Sequence, residues 1–115
     1  MEFSTSLKLN HIFRRLYATS GHANTYLVLY ARRNRSKENR VGLTCGKKLG
    51  RAVVRNRTRR RLREVYRLNE SALKPGYDIV IVARSRAVEA PFSKLTASFL
   101  RLADKAGILT QEAPQ

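Results

Sequence analysis

The 115 residues include a single cysteine, Cys45. An internal disulfide is therefore impossible, and so is a metal knuckle built on paired cysteines. Acidic side chains are scarce: 8 Asp and Glu stand against 24 Lys and Arg. The only aspartates are Asp78 and Asp104, and the glutamates are scattered, so the clustered carboxylates of a two-metal nuclease are missing. There are two histidines, His11 and His22. Their pattern places them at a helix start and in a loop, with nothing to fix their separation as an acid–base pair. Tryptophan is absent, and no apolar run approaches the ~20 residues of a membrane-spanning helix. The first nine residues lack the apolar segment and cleavage pattern of a secretory signal, so an intracellular, cytoplasmic protein is expected.

What is present is positive charge on a chain that can fold. With 43% hydrophobic residues, the length suits one domain over residues 1–115, with a frayed tail at 111–115. The formal net charge of +16 carries a self-repulsion that a polyanion relieves. Nucleic acid is the first candidate, and an anionic membrane surface is the weaker competitor.

Residues 9–18 place Leu9, Ile12, Phe13, Leu16 and Tyr17 at helical spacing, with Asn10 as a cap and Gly21 ending the segment. Residues 26–31 (YLVLYA) read as a strand. A basic loop follows over 32–40, with Arg32, Arg33, Arg35, Lys37 and Arg40 against Glu38, and 41–45 reads as the return strand of a hairpin. Residues 46–50 form a turn around Lys47 and Lys48, and residues 52 to about 68 form the longest helical pattern. Pro75 and Gly76 mark a turn before 77–83 (YDIVIVA), whose continuous apolar run predicts a central strand covered on both faces. Pro91 suits the first turn of a last helix carrying Phe92, Leu95, Phe99, Leu102 and Ala106 on one face, and Gly107 stops it. The order helix, hairpin, helix, strand, helix predicts an α+β single-domain sandwich, a central sheet with three helices. If the strand at 77–83 lies parallel to 41–45, the helix between them is a crossover, right-handed by default.

Between Lys47 and Arg67 stand ten basic residues, namely Lys47, Lys48, Arg51, Arg55, Arg57, Arg59, Arg60, Arg61, Arg63 and Arg67, with Glu64 the only acid. At about 100° per residue, Val54, Thr58, Leu62, Val65 and Leu68 share one arc, with Tyr66 near its edge. Arg55, Asn56, Arg59, Arg60, Arg63 and Arg67 fall on the other, and Arg57 and Arg61 sit toward the apolar side with stems along the core edge. The series Arg55, Arg59, Arg63, Arg67 is a ladder of repelling i,i+4 pairs, a pattern that a merely solvated helix avoids. Phosphates relieve it, and Arg pairs with phosphate through a planar fork. Gly46 and Gly50 would let backbone N–H groups approach a phosphate near the helix start. No helix-turn-helix, finger or heptad pattern points to DNA; RNA is favoured and DNA stays open. Asp78 fits a pairing with an Arg, and Cys45 fits a small buried apolar residue.

The segment 47–64, KKLGRAVVRNRTRRRLRE, resembles the motif of the bacterial ribonuclease P protein component family, roughly K-K-x-G-x-A-V-x-R-N-R-x-K-R-x-x-R-E. Length, basicity and element order match over most of the chain. The departures are Arg51, where many members carry Asn, Thr58 in place of an apolar residue, Arg59 for Lys, and Arg61 for Leu. A Leu at that last position would complete the apolar arc, so Arg61 either marks a helix rotated from this estimate or adds an RNA contact.

The resemblance implies a fold like a domain of ribosomal protein S5 (S5 domain 2-like), with an unusual left-handed βαβ crossover in place of the default hand. It implies the protein subunit of ribonuclease P, which works with a catalytic RNA subunit to hydrolyse a phosphodiester bond in precursor tRNA, leaving the mature 5′ end. The partners are then ribonuclease P RNA and precursor tRNA, with no membrane and no obligate protein partner. Mg2+ is held mainly by the RNA subunit, and this chain carries no catalytic or metal-binding residue of its own. By motif match, RNA-subunit binding falls on Arg55, Asn56, Arg57, Arg59, Arg60 and Arg63, with Lys47 and Lys48 at the entry and Arg51 and Arg67 on the same helix. A cleft over the sheet face would hold the single-stranded 5′ leader on Phe13, Tyr17 and Tyr30, with Arg14 beside them. Taken alone, an aromatic stripe reads more readily as core; the resemblance is what turns it into a stacking platform. The rival readings are a non-enzymatic ribosomal or RNA-chaperone protein of S5-like fold and a DNA-binding architectural protein.

Overall fold

A computed structural model describes residues 21–110 and a short strand near the N-terminus. The strands are β1 (Thr5–Ser6), β2 (His22–Ala23), β3 (Leu27–Arg33), β4 (Arg40–Thr44) and β5 (Tyr77–Ala83), and the helices are α1 (Ala52–Asn69) and α2 (Phe92–Lys105). The helix expected over residues 9–18, with Asn10, and the tail at 111–115 lie outside the described residues.

The strands form one mixed sheet in the order β1-β4-β5-β3-β2. β5 pairs antiparallel with β3 and parallel with β4. The expected hairpin of 26–31 with 41–45 is therefore corrected, because β5 is inserted between the two strands. The reason lies in β5 itself. Asp78, Ile79, Val80 and Ile81 are consecutive and all buried, a pattern that only a central strand covered on both faces can satisfy. The basic loop does not turn a hairpin; it bridges the start of β5, since Arg33 lies opposite Tyr77 and Arg40 opposite Asp78. With β4 and β5 parallel neighbours, α1 lies in the crossover that such a pair requires.

The register divides the sheet into two faces. Leu27, Leu29, Val41, Ile79 and Ile81 share one face and pack with Leu62, Val65 and Tyr66 of α1 and Leu95, Phe99 and Leu102 of α2. Tyr66 and Phe99 meet edge to face, with centroids 6.2 Å apart and planes at 71°. The other face carries Val28, Tyr30 and Arg32 of β3, Val82, Val80 and Asp78 of β5, and Thr44, Gly42 and Arg40 of β4.

α1 runs for 18 residues without Gly or Pro, in a segment rich in the strong helix former Arg. Thr58 is buried mid-helix and satisfies its hydroxyl by donating to the Val54 carbonyl at 2.9 Å. The buried arc consists of Thr58, Leu62, Val65 and Tyr66. Leu68, expected on that arc, is 55% exposed, while Tyr66, expected at its edge, is fully buried. The helix is thus rotated toward Tyr66, because the large ring fills the space against Phe99 and Leu68 is left in water. α2 starts after Pro91 and buries Leu95, Ser98, Phe99, Leu102 and Ala103; Phe92, expected on the inner face, is 37% exposed. Gly107, at φ +77°, closes the helix and lets the Ile108 N–H donate to the Ala103 carbonyl at 3.0 Å. Among the described residues, no helix is long and apolar enough to cross a membrane.

Candidate RNA interface

The basic residues of segment 47–67 occupy three settings. Lys47 and Lys48 lie on the single 3-10 turn Lys47–Leu49 that leads into α1, and both are exposed, as are Arg51, Asn56, Arg57, Arg60 and Arg63. At about 1.5 Å per residue, Asn56 to Arg63 cover about 10 Å of the α1 axis, with Lys47, Lys48 and Arg51 just before its start.

Arg55 and Arg59 are half-buried rather than on the outward arc, a correction to the helical-wheel expectation. They lie close enough to Cys45, just beyond β4, to act on its thiol: burial pushes the Cys45 thiol up, and the Arg59 and Arg55 guanidinium groups pull it back. Arg55 Nε is buried and has no hydrogen-bond partner among the described residues. Arg59 Nη1 donates to Asn56 Oδ1 at 2.9 Å, which fixes the motif's amide beside its Arg.

Arg67 and Arg61 are committed elsewhere. Arg67 Nε donates to Glu64 Oε2 at 2.7 Å in an i,i+3 pair, so the expected like-charge ladder ends in a neutralised residue. Arg61 Nη1 donates to the Val88 carbonyl at 3.3 Å, and Nη2 donates to that of Ala90. Arg61 therefore clamps α1 to the segment leading into α2, a role that the sequence did not suggest. Arg61→Ala should lower the folding free energy by about 1–3 kcal/mol by orphaning these contacts. It should leave the salt dependence of RNA binding unchanged; thermal unfolding beside a binding titration checks both.

Among the described residues, ion pairs engage only Arg40 and Arg67. Lys47, Lys48, Arg51, Arg57, Arg60 and Arg63 thus form a cationic surface without an acid against it. Such a surface answers phosphates rather than a mixed-charge protein face.

Of the expected leader-binding group, only Tyr30 is described. It lies half-buried on the sheet face away from α1 and α2, and Gly21 packs against its ring, where a Cβ would come within 2.6 Å of the Tyr30 ring carbon Cε2. Phe13, Arg14 and Tyr17 lie outside the described residues.

No group of three or more His, Cys, Asp or Glu among the described residues could hold a metal ion. His22 lies on the edge strand β2 rather than in a loop. Asp78 is bound by Arg40, with Nε to Oδ1 and Nη2 to Oδ2 both at 2.7 Å, and by Asn34 Nδ2 at 3.0 Å.

The ribonuclease P family model matches residues 1–107 of this sequence. The chain belongs to the ribonuclease P protein family. It is 44% identical over 105 residues to the ribonuclease P protein component of Natranaerobius thermophilus, covering 90% of this chain and 91% of that one. The ribonuclease P protein of Staphylococcus aureus superimposes with a TM-score of 0.82 at 28% identity, covering 93% of this chain and 99% of that one. The Thermotoga maritima ribonuclease P protein does so with a TM-score of 0.79 at 27% identity, covering 87% and 96%. Family membership thus rests on the whole domain as well as on the Arg-Asn-Arg helix.

Proposed function

We propose that this chain is the protein subunit of ribonuclease P, acting in the cytoplasm with a catalytic RNA to remove the 5′ leader of precursor tRNA. The observation that carries the proposal is the row of unpaired cations from Lys47 to Arg63 on the family's own motif. In this reading the exposed Arg residues and Asn56 hold the RNA subunit, and the sheet face bearing Tyr30, with Phe13, Arg14 and Tyr17, holds the leader. The contribution is differential binding: phosphate repulsion between two RNAs is neutralised, and the scissile bond is presented to the RNA's active site.

The reaction is a magnesium-dependent hydrolysis, and the described residues do not fit a magnesium site. They bring no carboxylates together, and Asp78 is already engaged by Arg40 and Asn34. In this proposal the ions belong to the RNA subunit. The crossover from β4 through α1 to β5 is left-handed, in an S5-like arrangement, and an experimental structure of the chain tests that hand directly.

Binding to ribonuclease P RNA in competition with bulk ribosomal RNA and duplex DNA tests the assignment. The expected result is a specific, salt-dependent complex that the competitors do not displace. Equal affinity for ribosomal RNA would favour a ribosomal or chaperone protein, and preference for duplex DNA an architectural one.

A further inference from the structure

Resting on that reading, we infer that the basic loop between β3 and β4 is a preformed phosphate clamp that extends the leader path beyond Tyr30. Arg32 lies two residues after Tyr30 on the same strand and the same sheet face, opposite Asp78. A single strand crossing that face along β3 from the Val28 end meets Tyr30, then Arg32, then the loop tip with Arg35 and Lys37. Arg32, Arg35 and Lys37 are exposed, and their side chains form no ion pair or hydrogen bond among the described residues.

The loop is held in one shape. Asn34 accepts from the Ser36 N–H at 2.7 Å and donates through Nδ2 to the Glu38 carbonyl and to Asp78 Oδ1, both at 3.0 Å. Its N–H donates to the Gly76 carbonyl at 2.9 Å. Asn39 is buried, accepting from the Tyr77 N–H at 2.7 Å and donating to the Lys74 carbonyl at 3.2 Å. Gly76, at φ +87°, passes so close that a Cβ would lie 2.8 Å from the Ser36 carbonyl oxygen. Arg33 is drawn aside over the Tyr77 ring, 5.8 Å from its centroid.

Within this scaffold Arg35 adopts φ +69°, the only non-glycine residue with positive φ among those described. A bulky side chain is disfavoured there, and turns usually place Gly or Asn at such a position. A long cation in that conformation, projecting from a rigid loop, gains little for the fold and suits a ligand of opposite charge. The loop carries Arg32, Arg33, Arg35 and Lys37 against Glu38, because Arg40 is taken by Asp78. Polyanionic single-stranded RNA continuing from Tyr30 matches that charge and that direction.

The test uses the assembled holoenzyme and a series of precursor tRNAs with progressively longer leaders. Wild type should bind more tightly as the leader lengthens. The R35G/K37A variant should match it on the shortest leader and fall behind by about five- to tenfold on the longest, with a salt slope lower by about 0.7 for each lost phosphate contact. Arg35→Lys, which keeps both charges, should retain the wild-type slope. The unfolding midpoint of Arg35→Gly should be equal or higher, because glycine relieves the positive φ. A variant whose affinity rises with leader length as fully as wild type overturns the clamp, as does one that loses affinity equally for all leaders. A lower midpoint for Arg35→Gly would mean that the residue serves the fold and not the ligand. If wild type itself is indifferent to leader length, the leader reading fails and the clamp falls with it.

Discussion

Replacing Arg57, Arg60 and Arg63 together by Ala should weaken binding to ribonuclease P RNA by about two orders of magnitude at moderate salt, taking roughly 1 kcal/mol for each charge-assisted phosphate contact. The slope of log affinity against log salt should fall by about two to three, since each phosphate released returns its counterion. These residues are chosen because Arg61 and Arg67 are committed inside the protein, one to the Val88 and Ala90 carbonyls and the other to Glu64. The fold should survive, because all three are exposed and their side chains form no hydrogen bond or ion pair among the described residues. Circular dichroism would confirm that. A folded variant with an unchanged slope would mean that the cations of α1 do not meet phosphate.

Phe99→Ala should remove about 3–5 kcal/mol of stability, the usual consequence of emptying a buried aromatic site. A domain of this size has about 5–15 kcal/mol to lose, so the variant should be partly unfolded near physiological temperature. Phe99 is fully buried and meets Tyr66 edge to face, and that contact sets the rotation of α1. RNA affinity should therefore fall with temperature as the folded fraction falls. At low temperature, with the domain folded, the salt slope should stay at the wild-type value, because no phosphate contact has been removed. Denaturant unfolding beside binding at two temperatures separates this outcome from that of the Arg variant.

The sequence showed most clearly what depends on local chemistry. The apolar run 77–83 did become the central strand, Gly107 did end the last helix, and Asp78 did find an Arg. The 52–68 pattern became α1 with one more residue, and its motif led to the family. What depends on long-range partners was not legible. Residues 26–31 and 41–45 flank a short basic stretch, as hairpin strands do, and nothing local shows that a strand some thirty residues later slides between them. The helical wheel treated the apolar residues of α1 as equivalent, so it could not weigh Tyr66, with Phe99 to pack on, against Leu68 with nothing. Arg61 was legible as a cation toward the apolar side, but not as a clamp, because its acceptors are backbone carbonyls 27 and 29 residues away. The charges of the 32–40 loop were visible, but their alignment with Tyr30 follows from the β3–β5 register.

The central claim is that this chain holds RNA for a reaction carried out elsewhere. Cleavage of 5′-end-labelled precursor tRNA at low magnesium, with ribonuclease P RNA alone, the protein alone and the two together, tests it most directly. The account predicts accurate release of the leader at the mature 5′ end only when both are present. Cleavage by the protein alone, or tight RNA binding with no stimulation, would contradict it.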